Sequence, residues 1–331
     1  MLKIGLLGAG RIGQVHARAI VGHEGSELAL ISDVYASTAE ELAAKYDAKV
    51  VSSDEIIGDS SIDAVLIATS TDTHSELIEA AAKAGKAVLC EKPVDLNLER
   101  ARACLSAVNA TGQPVMIGFN RRFDPNFALI KEGLTAGEIG KIELLSVTSF
   151  DPAPPPLAYI KASGGLFRDM MIHDFDMANF IMRDAPVSIA ASGSCQVDPD
   201  IGAAGDIDTA VVTLSYADGR LAVIKNSRRA GYGYDQRLEV LGSEGLLQAN
   251  NMLESSVVKS TIEGVVSAKP TYFFLERYMS AYRAEWAAFV GALRGEKPMP
   301  VTLEDGVQAL AMAEAAIQSL DAGKPVALAD V

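Results

Sequence analysis

The chain has 331 residues, 49% hydrophobic, 6% aromatic and 22% charged, which is the make-up of a globular protein with room for two cores and excludes a disordered or fibrous chain. A formal charge of −14 argues against nucleic acid or an anionic membrane as partner of the whole protein, and no apolar stretch reaches the length of a membrane span. Cys90, Cys104 and Cys195 show no short ligand spacing, so neither a disulfide framework nor a zinc ribbon is expected, and they fit a reducing cytoplasm.

The first predicted element is an apolar run with only Lys3 before it, which suits a first strand better than a signal peptide. It leads into Gly8-Ala9-Gly10-Arg11-Ile12-Gly13 and then an alanine-rich helix from Gln14 to Val21. In this strand, turn and helix, Gly8 permits the tight turn, Gly10 lets backbone approach a pyrophosphate, and Gly13 lets helix pack on strand. Amide groups and the positive end of the helix dipole then hold the anion. A second run, Leu28 to Ser32, ends in Asp33, whose carboxylate can bind both ribose hydroxyls and would repel a 2′-phosphate. A solvated strand-end Asp beside an ordinary tight turn is the plainer alternative.

Strand and helix go on alternating: a helix over 37–46, a short strand near 49–51, a helical turn near 54–57 and a strand over 62–68. The polar loop Thr69 to His74, a helix over 75–84, a strand over 86–90, a helix over 98–110 capped by Asn97 and a sixth strand over 114–118 complete the set. Six strands separated by helices predict a Rossmann doubly wound parallel sheet over 1–122, with ligands at the strand ends after Leu7, Asp33, Ala68 and Cys90.

From 123 to 331 the pattern changes to an α+β domain with a large, mostly antiparallel sheet. Strand-like runs fall near 142–148, 187–197, 209–216, 220–227, 236–241, 245–249 and 254–258, several of them separated by hairpin turns. One helix near 167–182 interrupts them, two more over 275–294 and 303–322 follow, and Pro152 to Pro156 is a rigid loop.

Two segments carry candidate chemistry. In Glu91-Lys92-Pro93, at the end of a predicted strand, Lys92 could orient a substrate hydroxyl or shuttle its proton; otherwise it is a solvated lysine. In the helix after Gly165, the spacing of Asp169, His173 and Asp176 puts a base and two carboxylates on one face. A packed core histidine is the alternative for His173, and a metal site finds no further Cys/His pair in support.

Taken in order, the glycine turn with Asp33, Glu91-Lys92-Pro93 and Asp169-x-x-x-His173 resemble the family of glucose-fructose oxidoreductase, inositol dehydrogenase and the rhizopine-catabolism proteins. The resemblance covers the whole chain and implies an NAD-dependent oxidoreductase. Within the family, the segments Gly118 to Asp124 and Gly231 to Arg237 are most like those of enzymes that oxidise myo-inositol to its 2-keto product, a small neutral polyol as substrate. Another sugar or keto-sugar is the alternative, and a dinucleotide-binding sensor without turnover is a third reading. The resemblance implies Lys92, Asp169 and His173 as the catalytic group and Arg122, Asp151 and Tyr234 as substrate contacts. It also implies Gly8, Gly10, Arg11, Ile12, Gly13, Asp33, Thr69, Asp72, His74, Glu91 and Lys92 around NAD, and no metal. Ser70 stands where the family often has proline. A homotetramer joined through the open face of the second-domain sheet is expected, in the cytoplasm.

Overall fold

The computed structural model describes residues 1–331, which divide into two compact units, Met1–Phe123 with Met279–Leu310 and Asp124–Tyr278 with Ala311–Val331. In the first unit β1 (Leu2–Leu7), α1 (Arg11–Val21), β2 (Ser26–Ser32), α2 (Ala36–Tyr46), β3 (Lys49–Val50), α3 (Ser53–Gly58), β4 (Ala64–Ile67), α4 (His74–Lys83), β5 (Ala87–Glu91), α5 (Leu98–Asn109) and β6 (Val115–Gly118) follow one another. The six strands are all parallel, in the order β3-β2-β1-β4-β5-β6. Every residue of β4, β5 and β6 is buried, as expected of strands covered on both faces. The chain reverses its winding direction between β1 and β4, so the loops after these strands flank the crevice where such sheets bind ligands.

The second unit begins with α6 (Pro125–Ala136), β7 (Ile142–Phe150), α7 (Leu157–Ser163), α8 (Ile172–Met182), β8 (Ser188–Ser194) and α9 (Pro199–Ala203). It continues with β9 (Thr209–Ser215), β10 (Leu221–Ser227), β11 (Asp235–Gly242), β12 (Gly245–Ala249) and the hairpin β13 (Val258–Thr261) and β14 (Gly264–Ser267). The chain closes with α10 (Phe274–Leu293), α11 (Leu303–Ala322) and β15 (Val326–Ala327). Seven strands pair in the order β12-β11-β7-β10-β9-β8-β15, antiparallel except for β7 with β10.

Three features differ from the sequence reading. Residues 279–310, read as part of the second domain, pack within the first unit, where Trp286 Nε1 donates to Ser26 Oγ (2.8 Å) and Gly306 lies so close that a Cβ would come 2.7 Å from Val94. Helical periodicity marks an apolar face and does not say which core it meets. Helices α6, α7 and α9 were not expected; α6 carries a start signal in Asp124, whose carboxylate accepts from the amides of Asn126 and Phe127, followed by Pro125 in the first turn. The strand expected near 254–258 is displaced to the β13–β14 hairpin, which buries neither face and so lacks the alternation that marks a strand.

Candidate active site

In the first unit the glycine turn has the predicted build. Gly8 has φ +96°, and a Cβ on it would come 2.4 Å from Ala68 O, while a Cβ on Gly13 would come 2.0 Å from Gly8 O. At Gly10 a Cβ would meet nothing within 4 Å, so the space beside the backbone is open on the side where α1 begins, and Gly10 supplies no side-chain cap to the first-turn amides. That is the cradle a pyrophosphate needs. Arg11 is exposed and Ile12 half-buried at the same turn.

Asp33 follows β2 and is held from two sides. Its Oδ2 accepts from Ala9 N (2.6 Å) and its Oδ1 from Tyr35 N (2.8 Å), which ties the carboxylate to the glycine turn and leaves lone pairs for two further donors. The remaining acceptor positions therefore fit the donating hydroxyls of an adenosine ribose.

His74 is buried, with Nδ1 2.7 Å from Pro93 O and Nε2 3.2 Å from Thr69 O. Burial pushes its pKa down and the two carbonyls oppose that; a neutral ring donates through Nδ1 to the nearer carbonyl. His74 thus ties the loop after β4 to the residue that follows Lys92. Thr69 Oγ1 and Thr73 Oγ1 are 2.7 Å apart in the same loop, Asp72 is exposed, and Ser70 has φ −70°, the value that a proline's ring would impose.

Lys92 is half-buried directly after β5. Behind it Glu91 Oε1 accepts from His16 Nε2 (2.6 Å), and Glu91 Oε2 accepts from the Lys92 amide (3.3 Å). Tyr282 of α10 stands edge-on to His16, and Glu285, one turn further along α10, is completely buried with no hydrogen bond to either carboxyl oxygen. Burial pushes the Glu285 pKa well above its ordinary value, and the nearby Glu91 carboxylate adds to the effect. Arg122 is also buried in this unit, its Nη2 3.1 Å from Asp305 Oδ1 and its Nη1 donating to Pro300 O (3.1 Å).

In the second unit Asp169 lies in a π-helical turn, Leu166–Met171, that runs into α8. The wider turn replaces the regular helix that the spacing predicted, and Asp176 is buried while Asp169 and His173 remain half-buried, so the three do not share one regular face. Tyr159 Oη of α7 donates to Asp169 Oδ1 (3.0 Å). Tyr234, just before β11, is buried edge-on against Tyr278, and Asp151, just after β7, donates its amide to Ser227 O (2.9 Å). On α8 itself the fully buried Asp174 accepts from Ser149 Oγ (2.6 Å) and Asn226 Nδ2 (2.8 Å).

Sequence reasoning passed over His16, Glu285 and Tyr159, and also Asp206 and Arg228, which pair at 3.7 Å in the second unit. His16 sits three positions after Gly13, on the helical face that packs on the sheet, and that spacing was its available signal.

Two family models divide the chain between them: residues 2–119 match the oxidoreductase family's NAD-binding Rossmann fold, and residues 131–328 match its C-terminal alpha/beta domain. The chain belongs to this oxidoreductase family. It is the glucose-fructose oxidoreductase, inositol dehydrogenase and rhizopine-catabolism family that the motifs resemble. The chain is 46% identical over 328 residues to inositol 2-dehydrogenase of Rhizobium meliloti, covering 99% of each chain. It is also 46% identical to myo-inositol 2-dehydrogenase of Thermotoga maritima, covering 100% of this chain and 99% of that one. Among solved structures, scyllo-inositol dehydrogenase of Lactobacillus casei with bound NAD(H) and scyllo-inositol superposes with a TM-score of 0.91 at 29% identity, covering 99% of each chain.

Proposed function

We propose that the protein is an NAD-dependent inositol 2-dehydrogenase that oxidises myo-inositol to its 2-keto product in inositol catabolism. The observation that carries the reading is the correspondence along the whole of both units, at 46% identity, with relatives named for that activity. Asp33, fixed toward a ribose with free hydroxyls, supports NAD as the cofactor. Steady-state assay with NAD against a panel of inositols, sugars and sugar phosphates tests the proposal.

Bound NAD supplies the acceptor for the hydride that leaves carbon. The hydroxyl proton must leave as negative charge develops on oxygen, and we assign its acceptance to His173. Asp169 stabilises the imidazolium or holds a neighbouring substrate hydroxyl. Lys92 donates to the oxygen as it gains charge, presented by a turn that His16 and Glu91 hold from behind. Arg122, Asp151 and Tyr234 are assigned to the remaining hydroxyls of a neutral polyol, and Thr69, Asp72 and His74 to the cofactor side.

The assembly we propose is a homotetramer. Leu246, Leu241, Leu144 and Leu221 are direct cross-strand neighbours on β12, β11, β7 and β10, and each is at least 36% exposed. An uninterrupted leucine row on an open sheet face supports self-association, and a monomer in sedimentation would contradict it. We place the protein in the cytoplasm, a reading that its three free cysteines support. No helix is long and apolar enough to cross a membrane.

A further inference from the structure

The groups behind Asp169 have no role in the chemistry described so far. Arg228, in the turn after β10, is 1% exposed, and its guanidinium lies between two carboxylates of its own unit. Nη1 is 3.9 Å from Asp169 Oδ2 and Nη2 is 3.7 Å from Asp206 Oδ2. Both separations are close enough for charge to act and too long for a hydrogen bond, and Nε and Nη2 make none. A cation this deep is costly unless anions hold it.

The two anions grip the same segment. Asp206 Oδ1 accepts from Leu166 N (3.0 Å) at the start of the π-helical turn. The preceding Gly165 has φ +82°, and a Cβ there would come 2.6 Å from that same oxygen, so the carboxylate and the turn fit only with glycine. Asp169 lies further along the turn, with Tyr159 Oη on its Oδ1 and Arg228 on the side of Oδ2. The turn is thus hydrogen-bonded to Asp206 at its start and faced by the charge of Arg228 in its middle, and the same guanidinium faces both carboxylates.

We infer that Arg228 is a positioning residue for the dehydrogenation: it holds the Asp169 carboxylate in one orientation from the buried side, through a two-anion clamp shared with Asp206. The inference rests on the assignment of Asp169 to the catalytic group. Arginine suits the place because its rigid fork faces two carboxylates at once, whereas a lysine ammonium is a single point charge.

The test is a double-mutant cycle on the full-length enzyme with NAD and myo-inositol, using R228M, D169N and the double variant, each checked by thermal melting to be folded at the assay temperature. R228M should lower kcat by about 10- to 100-fold, with the KM for NAD unchanged. The double variant should be no slower than D169N alone, because Arg228 acts through Asp169. Should R228M fail to fold, the cycle is run with R228K, which keeps the charge, and a kcat reduced less than in D169N is expected. Full additivity of the two losses, or wild-type kcat in R228K, would overturn the inference. If D169N itself keeps wild-type kcat, it is the catalytic assignment of Asp169 that fails. An impaired D169N beside unimpaired Arg228 variants refutes the clamp alone.

Discussion

His16 Nε2 lies 2.6 Å from Glu91 Oε1, so the helix that follows the glycine turn is bonded to the strand end that presents Lys92. Glu91 uses its second oxygen on the Lys92 amide, and one carboxylate therefore orders both sides of the turn. His16→Phe keeps an aromatic ring of similar size against Tyr282 but leaves Glu91 buried without its partner. Leaving Oε1 of this buried carboxylate without its partner costs about 1–3 kcal/mol, and the loosened turn should lower kcat. His16→Gln, which retains a donor, should recover part of both losses. Chemical denaturation with parallel kinetics decides it, and an H16F enzyme equal to wild type in both would remove the tie from the account.

Cofactor choice follows from Asp33. Its two backbone donors fix a full negative charge where a 2′-phosphate would lie, and Val34 and Tyr35 after it offer no cation. The wild type should prefer NAD to NADP in kcat/KM, and Asp33→Ser should narrow the ratio. Equal use of both cofactors by the wild type would refute this role of Asp33.

Glu285 predicts a pH dependence of stability. The folded protein raises its pKa, so the native state keeps a proton that the unfolded chain releases above the ordinary carboxylate range. Its favourable contribution is complete below the unfolded pKa, about 4.3, and is lost as pH rises toward the folded value. Glu285→Gln carries no such proton, so its melting temperature should gain on the wild type as the pH is raised from 5 to 8 (on the order of a few degrees). A difference that stays flat across that range would mean that Glu285 is ionised in the fold.

The alternation of strand and helix, the glycine turn and the carboxylate after β2 were legible because each is a local pattern with a local cause. The second sheet was legible as strands, but its one parallel pair, β7 with β10, depends on contacts between residues far apart in sequence. Much the same holds at the site. Lys92 and Asp169 stand in recognisable segments, whereas Arg228 meets Asp169 from nearly sixty positions away, and nothing in the Ser227-Arg228-Arg229 stretch says which guanidinium is buried. The π-helical turn was hidden for a different reason: it closes on hydrogen bonds one residue longer than those of an α turn, and nothing in the spacing of Asp169, His173 and Asp176 marks that longer closure.

His173→Ala should lower kcat by about 10²–10⁴ while the affinity for NAD stays near that of the wild type. Lys92→Ala should be at least as damaging, and on the proposed assignment of both residues to one catalytic group the two losses should not add. Pre-steady-state measurement of NADH formation separates the chemical step from product release. A His173→Ala enzyme with wild-type kcat across the pH range, beside an inactive Lys92→Ala, would make lysine the base.

Oxidation of an inositol is decided by kcat/KM with NAD for myo-inositol against glucose and a sugar phosphate, measured side by side on the purified full-length protein. The highest value is expected for myo-inositol, with no significant turnover of the phosphate. A glucose value about tenfold above that of myo-inositol, a transition-state advantage of about 1.4 kcal/mol, would contradict it and make the protein a sugar dehydrogenase of the same family.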